Sequence, residues 1–443
     1  MDKRRLRKME SGVKLKKGVS RREFLKTSAA FGAGIGLTIF SPKWSFSEKT
    51  SEPINIGLLP CLTGIVSAWG DGLVKVAEMT VEEINQSGGL LGREVKLIIQ
   101  DDGSVPENAV PAAERLVKRF GVVMFIGNLL SNSRLAVDNQ VAEPHRVVMN
   151  NFSYYEGSIC GRYFFHMGAV GTVLYSKTVP WMGKKFGKRF YFLGQEYEYP
   201  RGMIAISKDV VKKIEGEVVG EEYCPLGTQD FSSILMRIKR ANPNVVMCWA
   251  AGADKMAFLK QFSAAGLKEK IGLTTDFDEI HTQGLPPEVR ENNYSVNTYF
   301  REVPTKENKI FLERLEKKYG KRIPLGNFQE AIIPCIRIWA NAVKKAGTTN
   351  PEEIVKAQEG GPGEKYGISV MAPQGKVTVV KKHHHCIVQV YMARSRSDGT
   401  FEVLEHFPEE EPIIPERYGD CVASVQYGCR PLKQKQCPKF PGE

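Results

Sequence analysis

Two stretches decide how this chain folds: INIGLLP, Ile54–Pro60, and EVKLIIQ, Glu94 to Gln100. Each is a short apolar run of the kind that forms a buried strand. Between them, from Gly70 to Asn85, the apolar residues Val74, Ala77, Val81 and Ile84 recur at three- and four-residue spacing, which predicts a helix. Working outward, the alternation repeats: helix Asn108 to Phe120, strand Val122 to Ile126, helix Ser133 to Glu143 and strand Arg146 to Met149. A second series follows, with helix Thr172 to Phe186, strand Arg189 to Leu193, helix Gly202 to Ile214 and strand Glu217 to Glu222. It continues through helix Phe231 to Ala241, strand Val245 to Trp249, helix Ala253 to Ala264 and strand Ile271 to Thr275. Strands alternating with helices imply right-handed crossovers and mostly parallel sheets. The expected fold class is α/β, with two doubly wound, Rossmann-like lobes.

The chain begins differently. Ser20 to Ser47 reads SRREFLKTSAAFGAGIGLTIFSPKWSFS, a basic start, an uncharged run from Ala29 to Phe40 and a small-residue exit at Ser45-Phe46-Ser47. That run is too short to span a bilayer, which takes roughly 18 apolar residues or more. Its layout is that of a signal peptide over residues 1–47, the alternative being an uncleaved anchor. Arg21 and Arg22, followed by Phe24, Leu25 and Lys26, fit the twin-arginine form read by the twin-arginine export machinery. No cysteine follows the apolar run closely enough to suggest lipid attachment.

The export segment also accounts for the charge. Residues 1–47 carry 12 Lys+Arg and 3 Asp+Glu, a net of +9, so of the +12 for the whole chain only +3 belongs to residues 48–443. A basic surface for nucleic acid is therefore not expected. The remainder is long enough for two lobes, because single cores stop growing at roughly 250–300 residues. Nine cysteines are compatible with disulfides in an exported protein, and the odd number leaves one over. Cys421, Cys429 and Cys437 sit in a Pro- and Lys-rich tail where one bridge could close a local loop. There is no Cys-x-x-Cys pair, phosphate-binding GxxxxGK[ST], GxSxG elbow or HExxH zinc motif. Gly32 to Gly36 lies in the export segment and follows no strand, so it is no dinucleotide fingerprint. No cofactor and no enzymatic activity are expected.

In open parallel sheets a ligand binds outside the carboxyl ends of the strands. The segments leaving those ends are Leu62-Thr63-Gly64, Asn128 to Ser133, Asn150 to Tyr155, Gln195 to Tyr199, Ala250 to Gly252 and Thr275 to Asp278. Their small polar and aromatic residues suit a small polar solute. Each has a plainer reading too. Ser131 and Ser133 could cap the next helix. Tyr154, Tyr155, Tyr197 and Tyr199 could be packing with a polar tip, and Asp276 and Asp278 could form a solvated turn or helix start.

INIGLLP with LTG, VEEINQSGGLLGREVKLIIQDD and FIGNLLSNSRLAV together resemble the type 1 periplasmic solute-binding proteins of ABC importers for branched-chain amino acids, amides and urea. SYYEG, YFLGQEYEYPR, GEVVGEEYCPLGTQDFSSIL and PQGKVTVVKKHHH are more similar to the amide- and urea-binding branch than to the amino-acid branch. The likeness spans residues 53–415. It implies lobes made of 53–168 with 300–363 and of 169–299 with 364–415, three hinge crossings near Gly168, Tyr299 and Glu364, and a tail over 416–443. It also implies a small-molecule ligand held by Ser131 and Ser153, covered by Tyr197, and delivered by lobe closure to an ABC permease in the inner membrane.

Thr63, Asn151, Ala250, Asp276 and Asp278 complete the expected ligand-binding set. Leu129 and Asn151 stand where relatives often have Tyr, which changes the pocket wall. An acidic residue near Asp276 and Asp278 pairs with the ligand ammonium in the amino-acid branch. The expected function is capture of a short amide or urea in the periplasm, with an amino acid as the alternative. An amide-sensing regulatory protein and an exported enzyme are the alternatives of other classes. The His383-His384-His385 run reads as lobe structure, since the similar branch carries a histidine pair after the same strand; no metal is expected there.

Overall fold

The computed structural model describes residues 52–418 together with Cys421 and Val425. The export segment with Arg21 and Arg22, and Cys429 and Cys437, lie outside the described residues. The first series of elements is β1 (Ile54–Leu58), α1 (Gly70–Gln86), β2 (Val95–Ile99), α2 (Pro106–Glu114), β3 (Met124–Ile126), α3 (Ser131–Val137), α4 (Glu143–His145), β4 (Val148–Asn151) and β5 (Phe164–His166). A second series runs α5 (Gly171–Phe186), β6 (Arg189–Gln195), α6 (Glu198–Lys213), β7 (Glu217–Cys224), α7 (Ser232–Ala241), β8 (Val245–Trp249), α8 (Gly252–Ala264), β9 (Gly272–Thr275), α9 (Glu279–Gln283), α10 (Pro287–Arg290) and β10 (Tyr294–Asn297). The remainder comprises α11 (Lys306–Tyr319), α12 (Asn327–Ala346), α13 (Pro351–Glu359), β11 (Tyr366–Ala372), β12 (Gly375–Val380), β13 (Cys386–Ile387), β14 (Val390–Ser395) and β15 (Phe401–Phe407).

The first series forms a parallel sheet in the order β2-β1-β3-β4-β5. The second contributes β7, β6, β8, β9 and β10, all parallel, to a sheet that β14 and β15 extend antiparallel at one edge. Strands at the middle of each sheet are buried along their whole length, β3 and β8 without a break, because helices cover both faces. The alternation in the sequence thus becomes two mostly parallel sheets joined by helical crossovers, as expected.

Sheet membership departs from the expected return near Glu364. β11, β12 and β13 make a separate antiparallel sheet. It rests on α12 and α13, and α12 also packs on α1, so this sheet sides with the first one. Only at β14 does the chain join the seven-stranded sheet. The third passage therefore falls at Val388 and Gln389. Apolar Val370, Ala372, Val377 and Val379 need covering helices, and α12 over β11 with α13 over both strands supplies them.

The three histidines are fully incorporated. His384 lies stacked on Phe165 with ring centroids 3.9 Å apart and its Nε2 is 2.9 Å from Glu359 Oε1. His385 stacks on Tyr155 and bonds its hydroxyl, while the backbone of His166 donates to the His384 carbonyl at 2.9 Å. Among the described residues no group of three potential ligands converges as a metal site.

Burial pushes His166, His384 and His385 down and His383 down to about 4. Each is neutral in the fold but takes a proton once unfolded below about pH 6.5, which withdraws up to about 1.4 kcal/mol per pH unit. Stability from this cluster is full above that pH and is lost as the pH falls toward the folded values. Urea midpoints are expected to drop steadily from pH 6.5 to 5.5; equal midpoints at the two would refute it.

The last described segment crosses from one half of the molecule to the other. Leaving β15, Lys177 pairs with Glu410, Thr172 Oγ1 donates to the Ile413 carbonyl at 2.7 Å, and Tyr418 OH donates to Glu198 at 2.9 Å. Cys421 then bonds Cys160, 261 residues away, rather than closing a local loop in the tail. Ile414 brings the segment onto the apolar cluster around Tyr155 and Ile159, which places the two cysteines side by side.

Candidate functional site

A narrow cleft with a cavity volume of about 50 Å³ lies outside the carboxyl ends of both parallel sheets. From the first half come Val66 and Trp69 ahead of α1, Leu129, Leu130 and Ser131 at the β3–α3 turn, Tyr154 after β4, and Phe328 in α12. Facing them are Tyr197 and Tyr199 from the β6–α6 turn, Ala251, Gly252 and Lys255 from α8, Asp276 after β9, and His281 in α9.

The near wall rests on a buried cation. Arg134, fully buried, donates to Ser131 Oγ at 2.8 Å, Ser153 Oγ at 2.5 Å, Leu129 O at 3.2 Å and Asn128 O at 3.3 Å. Its guanidinium lies 4.8 Å from the Tyr155 ring centroid. Ser131 in turn donates to Glu156 Oε2 at 2.9 Å. Ser131 is therefore the first residue of α3 and not its cap; Leu130 is the cap position, with no side-chain bond. Asn151 Nδ2 donates to the Gly127 and Asn128 carbonyls at 2.6 and 3.0 Å, and its Oδ1 accepts from Ser153. Asn151 and Ser153 thus hold the β3–α3 turn from behind and do not line the cleft.

The far wall carries the charge. Lys255, its side chain 1% exposed, ion-pairs with Asp276 and donates to the Asp276 carbonyl at 3.1 Å. Tyr199 OH lies 3.4 Å from the other Asp276 oxygen. Burial, then Tyr175 and Asp276, push the Tyr199 phenol up; burial and Asp276 do the same for Tyr197, so both are neutral donors. Gly252 has φ +52, and a Cβ there would come within 2.3 Å of the Ile65 carbonyl oxygen. A glycine is what lets the α8 start approach the opposite half this closely.

Asp278 is not part of the lining either. It caps α9 by accepting from the His281 backbone, and His281 Nδ1 sits 2.7 Å from its Oδ1. Across the cleft, Trp69 Nε1 donates to Asp278 Oδ2 at 2.9 Å. Burial opposes ionisation of Asp278, but His281 and these hydrogen bonds outweigh it and hold the carboxyl below the ordinary range. Burial and Lys255 depress His281, with Asp278 opposing them. A second bond spans the halves where Tyr154 OH accepts from the Thr298 backbone at 2.7 Å.

Of the expected ligand-binding residues, the cleft brings together Ser131, Tyr197 and Asp276. Thr63 instead sits on an exposed loop, bonding Asp101 Oδ2 at 2.6 Å. Ala250 ends β8 just behind the wall, and its neighbour Ala251 faces the cavity. Sequence reading missed Trp69, Lys255, His281 and Phe328. Lys255 lies three residues beyond the flagged Ala250-Ala251-Gly252 turn, which is one helical turn and a usable signal. Phe328 has no such signal, because α12 reaches the cleft only through tertiary packing.

Two parallel sheets, the cleft across their carboxyl ends and hydrogen bonds joining the halves define the type 1 periplasmic binding protein fold. The chain belongs to the periplasmic binding protein family, whose model matches residues 53–400. It is similar to the leucine-, isoleucine-, valine-, threonine- and alanine-binding protein of Pseudomonas aeruginosa, 24% identical over 317 residues that make up 70% of this chain and 83% of that one. An amino acid ABC transporter substrate-binding protein from Pseudomonas fluorescens has a solved structure with a TM-score of 0.73, 22% identity and coverage of 82% and 98% of the two chains. The branched-chain amino acid transporter substrate-binding protein of Streptococcus pneumoniae, solved with isoleucine, gives 0.70 at 20% identity, over 82% of this chain and all of that one.

Proposed function

We propose that this chain is the exported solute-binding component of an ABC importer, in which Ser131, Tyr197 and Asp276 contact a small carboxylate-bearing nitrogen compound, an amino acid in the first instance. The observation that carries this reading is the cleft itself, which sets Ser131 on one half opposite the Lys255–Asp276 pair on the other. A solute touching both stabilises the closed form, and its differential affinity for that form drives closure. The names of the curated relatives favour amino acids over the short amide or urea suggested by the SYYEG and YFLGQEYEYPR segments.

Residues 1–47, with Arg21 and Arg22, direct export by the twin-arginine route to the periplasm, and the closed form docks on an inner-membrane permease. The hinge consists of the chain passages near Gly168, near Tyr299 and at 388–389.

Calorimetry of the mature protein with leucine, isoleucine, alanine, acetamide and urea tests the reading. Saturable binding of an amino acid, with a smaller radius of gyration by scattering, is the expected result; no binding by any of them would overturn it. Tyr197→Ala is expected to raise Kd about tenfold or more by removing a ring from the wall, in line with the loss of a buried aromatic contact. An unchanged Kd would remove Tyr197 from the site.

A further inference from the structure

We infer that Lys255 sets the charge class of the solute: by neutralising Asp276 it makes the cleft read a carboxylate and give little weight to an ammonium. This rests on the solute-binding reading above and names the chemistry that the same cleft selects.

Asp278 lies behind the lining with its two oxygens on Trp69 and His281, and Lys255 and Asp276 are the charged side chains within it. They are bonded to each other, so together they present no net charge. A lone carboxylate in a desolvated cleft needs a cation and would draw one from the solute. Here the chain supplies that cation itself, from a lysine with a 1% exposed side chain. A solute ammonium brought to Asp276 meets the Lys255 charge as well, and the two contributions largely cancel. For a carboxylate the two charges cancel likewise, so what distinguishes it is the donor left over on Lys255 and the helix start beside it. Lys255 uses hydrogens on Asp276 Oδ1 and on the Asp276 carbonyl, which leaves its third for the solute. The start of α8, whose Ala251 and Gly252 line the cleft, adds partial positive charge on the same side. Trp69, Tyr154 and Phe328 line the opposite side with aromatic carbon for an apolar body.

Matched pairs test this by calorimetry: leucine against 4-methylpentanoate, phenylalanine against 3-phenylpropanoate, alanine against propanoate. For the pair that binds most tightly, the wild-type Kd values of the amino acid and its ammonium-free counterpart are expected to agree within tenfold. Lys255→Met, which frees the Asp276 charge, is expected to shift that ratio at least tenfold toward the amino acid. Lys255→Arg should keep the wild-type ratio. Should Lys255→Met fail to fold, the double variant Lys255→Met/Asp276→Asn, which removes both charges, should also keep it.

A wild-type preference for the amino acid above tenfold, or a smaller shift in Lys255→Met, overturns the inference and leaves the solute-binding function standing. Binding of acetamide or urea alone does the same. Binding of no member of either panel overturns the function itself.

Discussion

Arg134→Met is expected to lower the unfolding free energy by about 3–5 kcal/mol, the usual consequence of removing one partner from a buried charged network. Arg134 and Glu156 are both fully buried, and Ser131 stands between them, accepting from one and donating to the other. Without the guanidinium, Glu156 loses the cation that Ser131 links to it, the Asn128 and Leu129 carbonyls lose a donor, and Tyr155 loses the cation over its ring. The β3–α3 turn should loosen with it, so solute affinity should fall together with stability. Urea unfolding with and without solute measures both. A companion variant, Arg134→Met/Glu156→Gln, should recover part of the stability, since no buried charge is then left unpaired. A single variant as stable as the wild type would show that the turn is held by its backbone alone.

Cys160→Ser/Cys421→Ser is expected to cost about 5 kcal/mol, because the bridge closes a loop with a sequence separation of 261 and loop-closure entropy grows with the logarithm of length. The effect acts mostly on the unfolded chain, so the dependence of unfolding free energy on denaturant should also steepen as the unfolded ensemble expands. Reductant should reproduce the variant in the wild-type protein. A wild-type midpoint that ignores reductant would show that the bridge contributes nothing. The noncovalent contacts of the same segment, from Glu410 to Tyr418, remain in the variant and should keep it seated on α5 and α6.

Much of the fold was legible. The helix predicted over Gly70 to Asn85 runs Gly70–Gln86, and the strand over Val245 to Trp249 is reproduced residue for residue. Both are long or strongly apolar segments whose period is a local property. The helix expected over Ser133 to Glu143 starts two residues earlier and passes through a wider turn at Asp138–Ala142 before α4. Local spacing does not register a change of winding. The third sheet was not legible as a separate layer, because β11 and β12 become buried only by meeting α12 and α13.

The site was legible by position and less so by residue. Every expected ligand-binding residue is at or beside the carboxyl end of a strand, since strand ends follow from the apolar runs. Which of those side chains enters the cavity was another matter. Asn151, Ser153 and Asp278 are as polar as Ser131, yet they spend their hydrogen bonds on Asn128, Arg134, Trp69 and His281 and hold the frame. Lys255 was passed over because nothing in a linear reading says that its ammonium turns back onto Asp276.

The sequence by itself determined the order of strands and helices, their parallel pairing and the end of the sheets at which a solute would sit, because these depend on period and on the handedness of crossovers. Only the tertiary structure decided that Phe328 closes the cleft, that Cys160 meets Cys421, and that the Asp276 charge is answered from within the chain. Those contacts join residues far apart in sequence, and their geometry is set by how whole elements pack, a property that no local pattern of residues contains.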